Sequence, residues 1–319
     1  MRNTDQTTSK FQILVVAGVA YAVLFAGAVR AANDSEATRF ASPDEAVAAL
    51  TQAVRAQDTN ALRSLFGPAL NEIANPDPVQ RRHNLTLFAG RLAEAAKLSR
   101  KDDHTVVLIA GKDDWPFAIP VVKKDDKWFF DTQAGKEEIL NRRIGANELN
   151  AIDVCRAYVQ AQRDYARKDS AGNGVMEYAQ KLRSSPGQRD GLYWETKPDE
   201  EQSPFGPLVA KAHAEGYGKK DPNAGAQTAR QPFHGYFFRI LTRQGQHAPG
   251  GKYDYIINDH MVAGFALLAY PAVWGNSGVM TFMVNQQGKV YQQNLGEKTA
   301  DLAEKTKEYE PGDTWEPVK

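Results

Sequence analysis

The sequence predicts an α+β protein built from two successive helix-then-sheet units. Three observations carry this. Apolar residues recur at helical spacing from Ala46 to Leu98. The period then changes, and Thr105 to Asp131 alternates as strands broken by polar turns. The same succession returns after Asn147, where a helix is followed, beyond an irregular stretch, by further strands. A chain of 319 residues has room for two domains of ordinary size, expected here at 40–140 and 141–319, the second with an irregular insertion over 193–232.

In the first unit, Ser42-Pro43-Asp44-Glu45 has the form of a helix start. Ser42 can cap the helix, Pro43 suits its first turn, and Glu45 can reach back to the cap's amide. Ala46, Leu50, Ala53 and Val54 then share one face. A second helix begins near Thr59, carries Leu62, Leu65 and Phe66, and stops at Gly67-Pro68. A third is expected over Val79 to Leu98. Strands follow at Thr105–Ile109, Phe117–Val122 and Lys127–Asp131.

In the second unit a helix is expected from Asn147 to Lys168, with Leu149, Ile152, Cys155, Val159 and Gln162 along one side. Between Tyr193 and Pro232 the only regular element expected is a short helix at Pro207–Glu215. Strands follow at His234–Thr242, Tyr253–Asn258, Ala263–Tyr270, Val279–Val284 and Val290–Leu295, with a hairpin turn at Gln286-Gln287-Gly288-Lys289.

The N-terminus reads as an export signal: Arg2, an apolar run from Phe11 to Ala28, then Val29 and Ala31 as the small residues before a cut expected after Ala31. The alternative is an uncleaved anchor, since the run approaches the length that spans a bilayer. No cysteine follows it to carry a lipid, and no later apolar stretch is long enough to span. The protein is therefore expected in the periplasm or outside the cell, away from the membrane once cleaved. Removing residues 1–31 takes out Arg2, Lys10 and Arg30 against Asp5, which leaves a mature chain two charges acidic because the whole chain carries 39 basic and 39 acidic residues. That balance offers no surplus of positive charge for nucleic acid. The single cysteine, Cys155, excludes an intramolecular disulfide and a multi-thiolate zinc site.

The pattern of helices followed by a meander with a Trp-bearing last strand is similar to the cone-shaped nuclear-transport-factor-type fold, a likeness that implies a pocket between helix and curved sheet. Several longer motifs, Phe40-Ala41-Ser42-Pro43-Asp44-Glu45-Ala46, Gly111-Lys112-Asp113-Asp114-Trp115-Pro116-Phe117, Glu137 to Gly145, Arg189-Asp190-Gly191-Leu192-Tyr193-Trp194 and Gly278-Val279-Met280-Thr281-Phe282, occur in one order. On them the chain resembles the exported bacterial domain-of-unknown-function 2950 family over nearly its whole mature length. The resemblance implies export from a Gram-negative cell and carries no activity over to any residue. Asn147 to Ile152, the Gln160 to Tyr165 helix, Gly235 to Ile240, Ala269-Tyr270-Pro271 and the Gly278 to Gly288 hairpin are similar to the globular heads of type IV pilins and pseudopilins, which pack one helix on an antiparallel sheet. Pilins need an apolar helix continuous with the head, preceded by a prepilin cleavage motif, and neither precedes Asn147, so the likeness concerns the head alone.

Candidate chemistry is sparse. Glu138, Arg142, Arg143 and Asn147 form a charged and polar cluster near the expected domain junction. It suits either an anion, because arginine forks match carboxylates, or a fixed contact between the two units. Asp169-Ser170-Ala171-Gly172-Asn173-Gly174-Val175-Met176-Glu177 resembles a calcium loop, with Asp169, Asn173 and Glu177 as its candidate ligands, although Ala171 stands at a ligand position and Gln180 where a bidentate Glu belongs. Ser277, in Trp274-Gly275-Asn276-Ser277-Gly278, lacks the spacing of a nucleophile elbow and reads as a turn residue. The six histidines show no metal-binding pairing, Cys155 reads as a buried small hydrophobe, and no motif asks for a cofactor.

The expected function is a non-catalytic binding or adaptor module of a cell-envelope assembly, with an envelope protein as partner. The alternative is a small-ligand binder or hydrolase using a pocket in the N-terminal domain.

Overall fold

In the computed structural model, residues 37–218 and 231–319 are described; the apolar leader and the expected cut after Ala31 lie outside them. The described chain is α+β, with helices and two main antiparallel sheets.

Helix α1 (Pro43–Ala56) starts as the capping pattern predicts. The Ser42 hydroxyl accepts from the Glu45 amide at 3.1 Å, while the Glu45 carboxylate reaches one residue further than expected and accepts from the Ala41 amide at 3.0 Å. Its apolar face, Ala46, Leu50, Ala53 and Val54, is buried. Helix α2 (Thr59–Phe66) is capped by Asp58 and ends at Gly67.

Helix α3 (Pro78–Glu94) is shorter than its apolar spacing predicts. The backbone turns extended at Ala95, and 96–98, expected as the end of the helix, belongs instead to strand β1 (Ala96–Arg100), which pairs along its full length with β2 (Thr105–Ala110). A hairpin ladder with the strand that follows overrides the local helical preference of Ala- and Arg-rich sequence.

Of the expected Phe117–Val122 strand only 121–122 join the sheet, in β4 (Val121–Lys124) between β2 and β5 (Lys127–Phe130), after Pro120, which lacks an amide donor; a short β3 (Trp115–Pro116) before it pairs with β2. The helices cover this sheet and enclose Leu50, Leu108, Ile119, Val121 and Phe130.

Helix α4 (Thr132–Ala166) is continuous through residue 140. The expected start at Asn147 therefore falls in mid-helix. Ile139, in its first half, packs on the first core, whereas Ile152, Cys155 and Val159 belong to the second. Gly135 lets the helix approach the β3–β4 connection, since a Cβ there would stand 2.7 Å from the Ala118 carbonyl oxygen.

Helix α5 (Gly206–Glu215) lies within the stretch expected to be irregular, close to its predicted bounds. The second sheet takes β6 (Tyr236–Leu241). Short pairs follow: β7 (Arg243–Gln244) with β8 (Tyr253–Asp254), and β9 (Ile256–Ile257) with β10 (His260–Met261). The sheet is completed by β11 (Ala266–Pro271), β12 (Met280–Asn285), β13 (Tyr291–Asn294) and, unpredicted, β14 (Glu316–Pro317), in the order β14-β13-β12-β11-β6.

Every residue of β11 is buried, because α4 and a second unpredicted element, α6 (Thr299–Lys305), both pack on it. Arg239 of β6 ties α6 down by donating to the carbonyls of Ala303, Glu304 and Thr306 at its C-terminal end.

No helix among the described residues is long and apolar enough to cross a membrane.

Candidate functional site

Three places gather the polar residues that could act. The first lies where the two cores meet on α4. Arg142 donates to Glu138 at 2.6 Å and to the Pro116 carbonyl at 2.8 Å, and its guanidinium lies 5.0 Å over the Trp115 ring. Arg143 points to the other side. It donates to the carbonyls of Ile73 and Ala74 and to the Asn276 side chain, so one guanidinium joins the segment before α3, helix α4 and the turn before β12. Burial pulls its pKa down to about 10, which leaves it charged at neutral pH. Glu148 accepts from the amides of Val279 and Met280, both at 2.9 Å.

One turn along, buried Asn147 accepts from Gln80 at 2.6 Å and donates to the Ser277 carbonyl at 2.8 Å. Gln80 accepts in turn from Asn75 at 2.8 Å. Fully buried Asp77 uses one carboxylate oxygen to cap α3 through the amides of Val79 and Gln80, and the other to accept from the Tyr217 hydroxyl at 2.6 Å and the Gly235 amide at 3.2 Å. The His234 amide donates to the Tyr217 oxygen at 3.1 Å, and the His234 ring stands 2.6 Å from the Glu215 carboxylate.

Burial, reinforced by the hydrogen bond to Asp77, pushes the Tyr217 phenol far up. Burial also lowers the His234 pKa, with Glu215 opposing it. Such a closed network is costly to leave half-satisfied and fixes one arrangement of the groups it joins. Its members are too far apart in the chain for spacing to connect them; the sequence singled out only Asn147.

The second place is the loop after α4. Asp169 accepts from the amides of Asn173 and Gly174 at 3.0 and 2.8 Å, Asn173 donates to Glu177, and Glu177 also accepts from the Met261 amide at 3.2 Å with the His260 ring at the same distance. These oxygens close the loop on itself. Among the described residues no group of three or more His, Cys, Asp and Glu side chains is arranged to hold a metal ion.

The third is a pair of adjoining clefts, which sequence reasoning touched only through the Arg189 to Trp194 motif. Residues 183–189 and 193–195 line a cleft of about 490 Å³. Asp190 sets its wall: the carboxylate accepts from Lys181 and from the Ser185 amide and hydroxyl. These bonds outweigh burial, which acts upward, and hold its pKa near 2. Gly191 allows the two sides of the loop to touch, since a Cβ there would stand 2.7 Å from the Ser184 nitrogen. Arg183 lies 5.4 Å over the Tyr193 ring and Arg189 5.4 Å over Trp194, whose buried indole N–H has no acceptor among the described residues.

Arg183 and Tyr193 also border a hollow of about 220 Å³, walled by Val154, Leu182, Phe205, Leu208, Phe238 and Leu267 among others.

Elsewhere the candidates serve the fold. The Ser277 hydroxyl exchanges hydrogen bonds with the Val273 amide and carbonyl, within the turn. Cys155 is fully buried, and burial pushes its thiol up to about 12, far from thiolate chemistry. In the N-terminal unit Phe66, Phe117 and Phe130 pack at 5.3 to 6.3 Å and Phe88 stacks on Phe117 at 5.0 Å, so aromatic rings occupy the space between helices and sheet.

A family model described as Protein of unknown function (DUF2950) matches residues 37–318. The chain belongs to the DUF2950 family. The match takes in both cores, the α4 joint and the paired clefts of this DUF2950 chain. No curated protein and no solved structure matches it.

Proposed function

We propose that the protein is a non-catalytic binding or adaptor module of the cell envelope, exported through its N-terminal apolar segment, cut after Ala31, and contacting its envelope partner through the face that carries the paired clefts. The observation that carries the reading is the juxtaposition of an arginine- and aromatic-rimmed cleft with an apolar hollow. It is supported by the fate of the groups that could do chemistry: Ser277, Asp77 and Cys155 are committed to a turn, a helix cap and a core. On this reading the N-terminal unit is cone-like and the C-terminal unit pilin-head-like, the latter supported by the second half of α4 lying on β11 and β12.

Crosslinking in intact cells, recovery of the tagged chain and mass spectrometry of its N-terminus and companions test the proposal. The expected result is a chain beginning at Ala32 with envelope companions that are lost in Arg189→Glu. A processed chain recovered alone contradicts the adaptor role.

A further inference from the structure

We infer that the paired clefts bind an anionic amphiphile, with an apolar chain in the hollow and a carboxylate or phosphate head at the rim that carries Arg183 and Arg189. The inference rests on the binding-module reading above and names its ligand class.

The hollow selects against peptide. Its walls are hydrocarbon and aromatic, and Arg183 and Tyr193 bring the polar atoms at its border with the cleft. A peptide would carry an N–H and a C=O per residue into a site with few partners for them, and a buried polar group without a partner is expensive. An alkyl chain brings none. At ~30 Å³ per heavy-atom group, about 220 Å³ holds roughly seven of them.

The rim selects for an anion. Stacking over Tyr193 and Trp194 orients the two guanidinium groups. The guanidinium groups are the donors this rim offers, since the Ser184 and Ser185 hydroxyls are spent on the Gly191 carbonyl and the Asp190 carboxylate and the Trp194 indole N–H is buried. Glu195 competes for this site, standing 3.6 Å from Arg183, but both side chains are largely exposed and such a pair is weak. A ligand head displaces it readily.

The test is an alkyl carboxylate series from butanoate to dodecanoate, titrated below micelle-forming concentrations and followed by tryptophan fluorescence. Affinity is expected to rise about fourfold per methylene and to level off once the hollow is full, near seven carbons beyond the head. Dodecanol and dodecyltrimethylammonium are expected to bind at least tenfold more weakly than dodecanoate. Arg189→Gln should remove that advantage without changing dodecanol binding, and Glu195→Gln should tighten dodecanoate.

The same chemistry reaches the protein from free amphiphile or from bilayer lipid. Titration with soluble dodecanoate detects the first, and co-flotation with phosphatidylglycerol vesicles detects the second. Affinity without chain-length dependence, equal binding of the cationic amphiphile, or no binding in either arm overturns the inference. If the probes fail while the crosslinked companion of intact cells persists, the ligand class is wrong and the binding module stands.

Discussion

The Tyr217 hydroxyl donates to the Asp77 carboxylate at 2.6 Å across 140 residues of chain. Through that bond the end of α5 is fastened to the start of α3, and the other oxygen of the same carboxylate caps α3.

Tyr217→Phe removes the donor and leaves a buried carboxylate oxygen with the Gly235 amide alone. A loss of about 1 to 3 kcal/mol in unfolding free energy is expected, read from urea denaturation, with little change in the circular dichroism of the folded protein. An unchanged midpoint would show that the bond does not hold the joint.

Gly235→Ala should be at least as damaging. The residue sits at φ +73°, and an added Cβ would lie 2.5 Å from the Asn147 amide nitrogen and 2.9 Å from the Ser277 Cβ. Left-handed strain and the close approach together are worth about 2 kcal/mol or more. The same denaturation measurement decides it, with Gly251→Ala, at φ +74° in open space, separating strain from contact.

Arg143→Met leaves the Ile73 and Ala74 carbonyls and Asn276 without their shared donor. The expected cost is on the order of 2 kcal/mol. Arg142→Ala, which breaks a partly exposed pair and a stacking contact on Trp115, should cost about 1 kcal/mol. Equal effects of the two would contradict the assignment of Arg143 to the joint.

Stability should fall as the solution is acidified below about pH 6.5. His234 has a folded pKa below its ordinary value, chiefly through burial, so the unfolded chain takes up a proton that the folded chain does not. Stability is complete above the unfolded pKa and is lost as pH drops toward the folded one. His234→Gln should flatten the dependence of unfolding free energy on pH below about 6.5. A second decline, between the ordinary carboxylate range and about pH 2, includes the contribution of Asp190 and should become shallower in Asp190→Asn.

Much of this fold could be read from local chemistry. The Ser42-Pro43-Asp44-Glu45 start, the Gly67 stop and the strand runs around Phe238, Leu268 and Phe282 carry their own signals, and each lies where it is expected. What was not legible depends on pairing and packing partners that the local pattern does not name. Residues 96–100 are a strand because β2 pairs with them, not because of their own preference. Helix α4 runs through residue 140 because each half has a different core to lie on. The joint brings Asp77, Asn147, Tyr217 and His234 together by folding alone; only Asn147 drew notice, as part of a charged cluster rather than as the partner of Gln80. The clefts left one trace in the sequence, the Arg189 to Trp194 motif, whose arginine-on-indole geometry no spacing rule contains.

The measurement that bears most directly on the binding face is photocrosslinking in intact cells from a reactive residue placed at Gln188, on the lip of the cleft, with Leu87, exposed on α3, as control. The account predicts discrete adducts with envelope components from position 188, absent from position 87 and lost when Arg189→Glu is added. Adducts from position 87 but none from position 188 would contradict it.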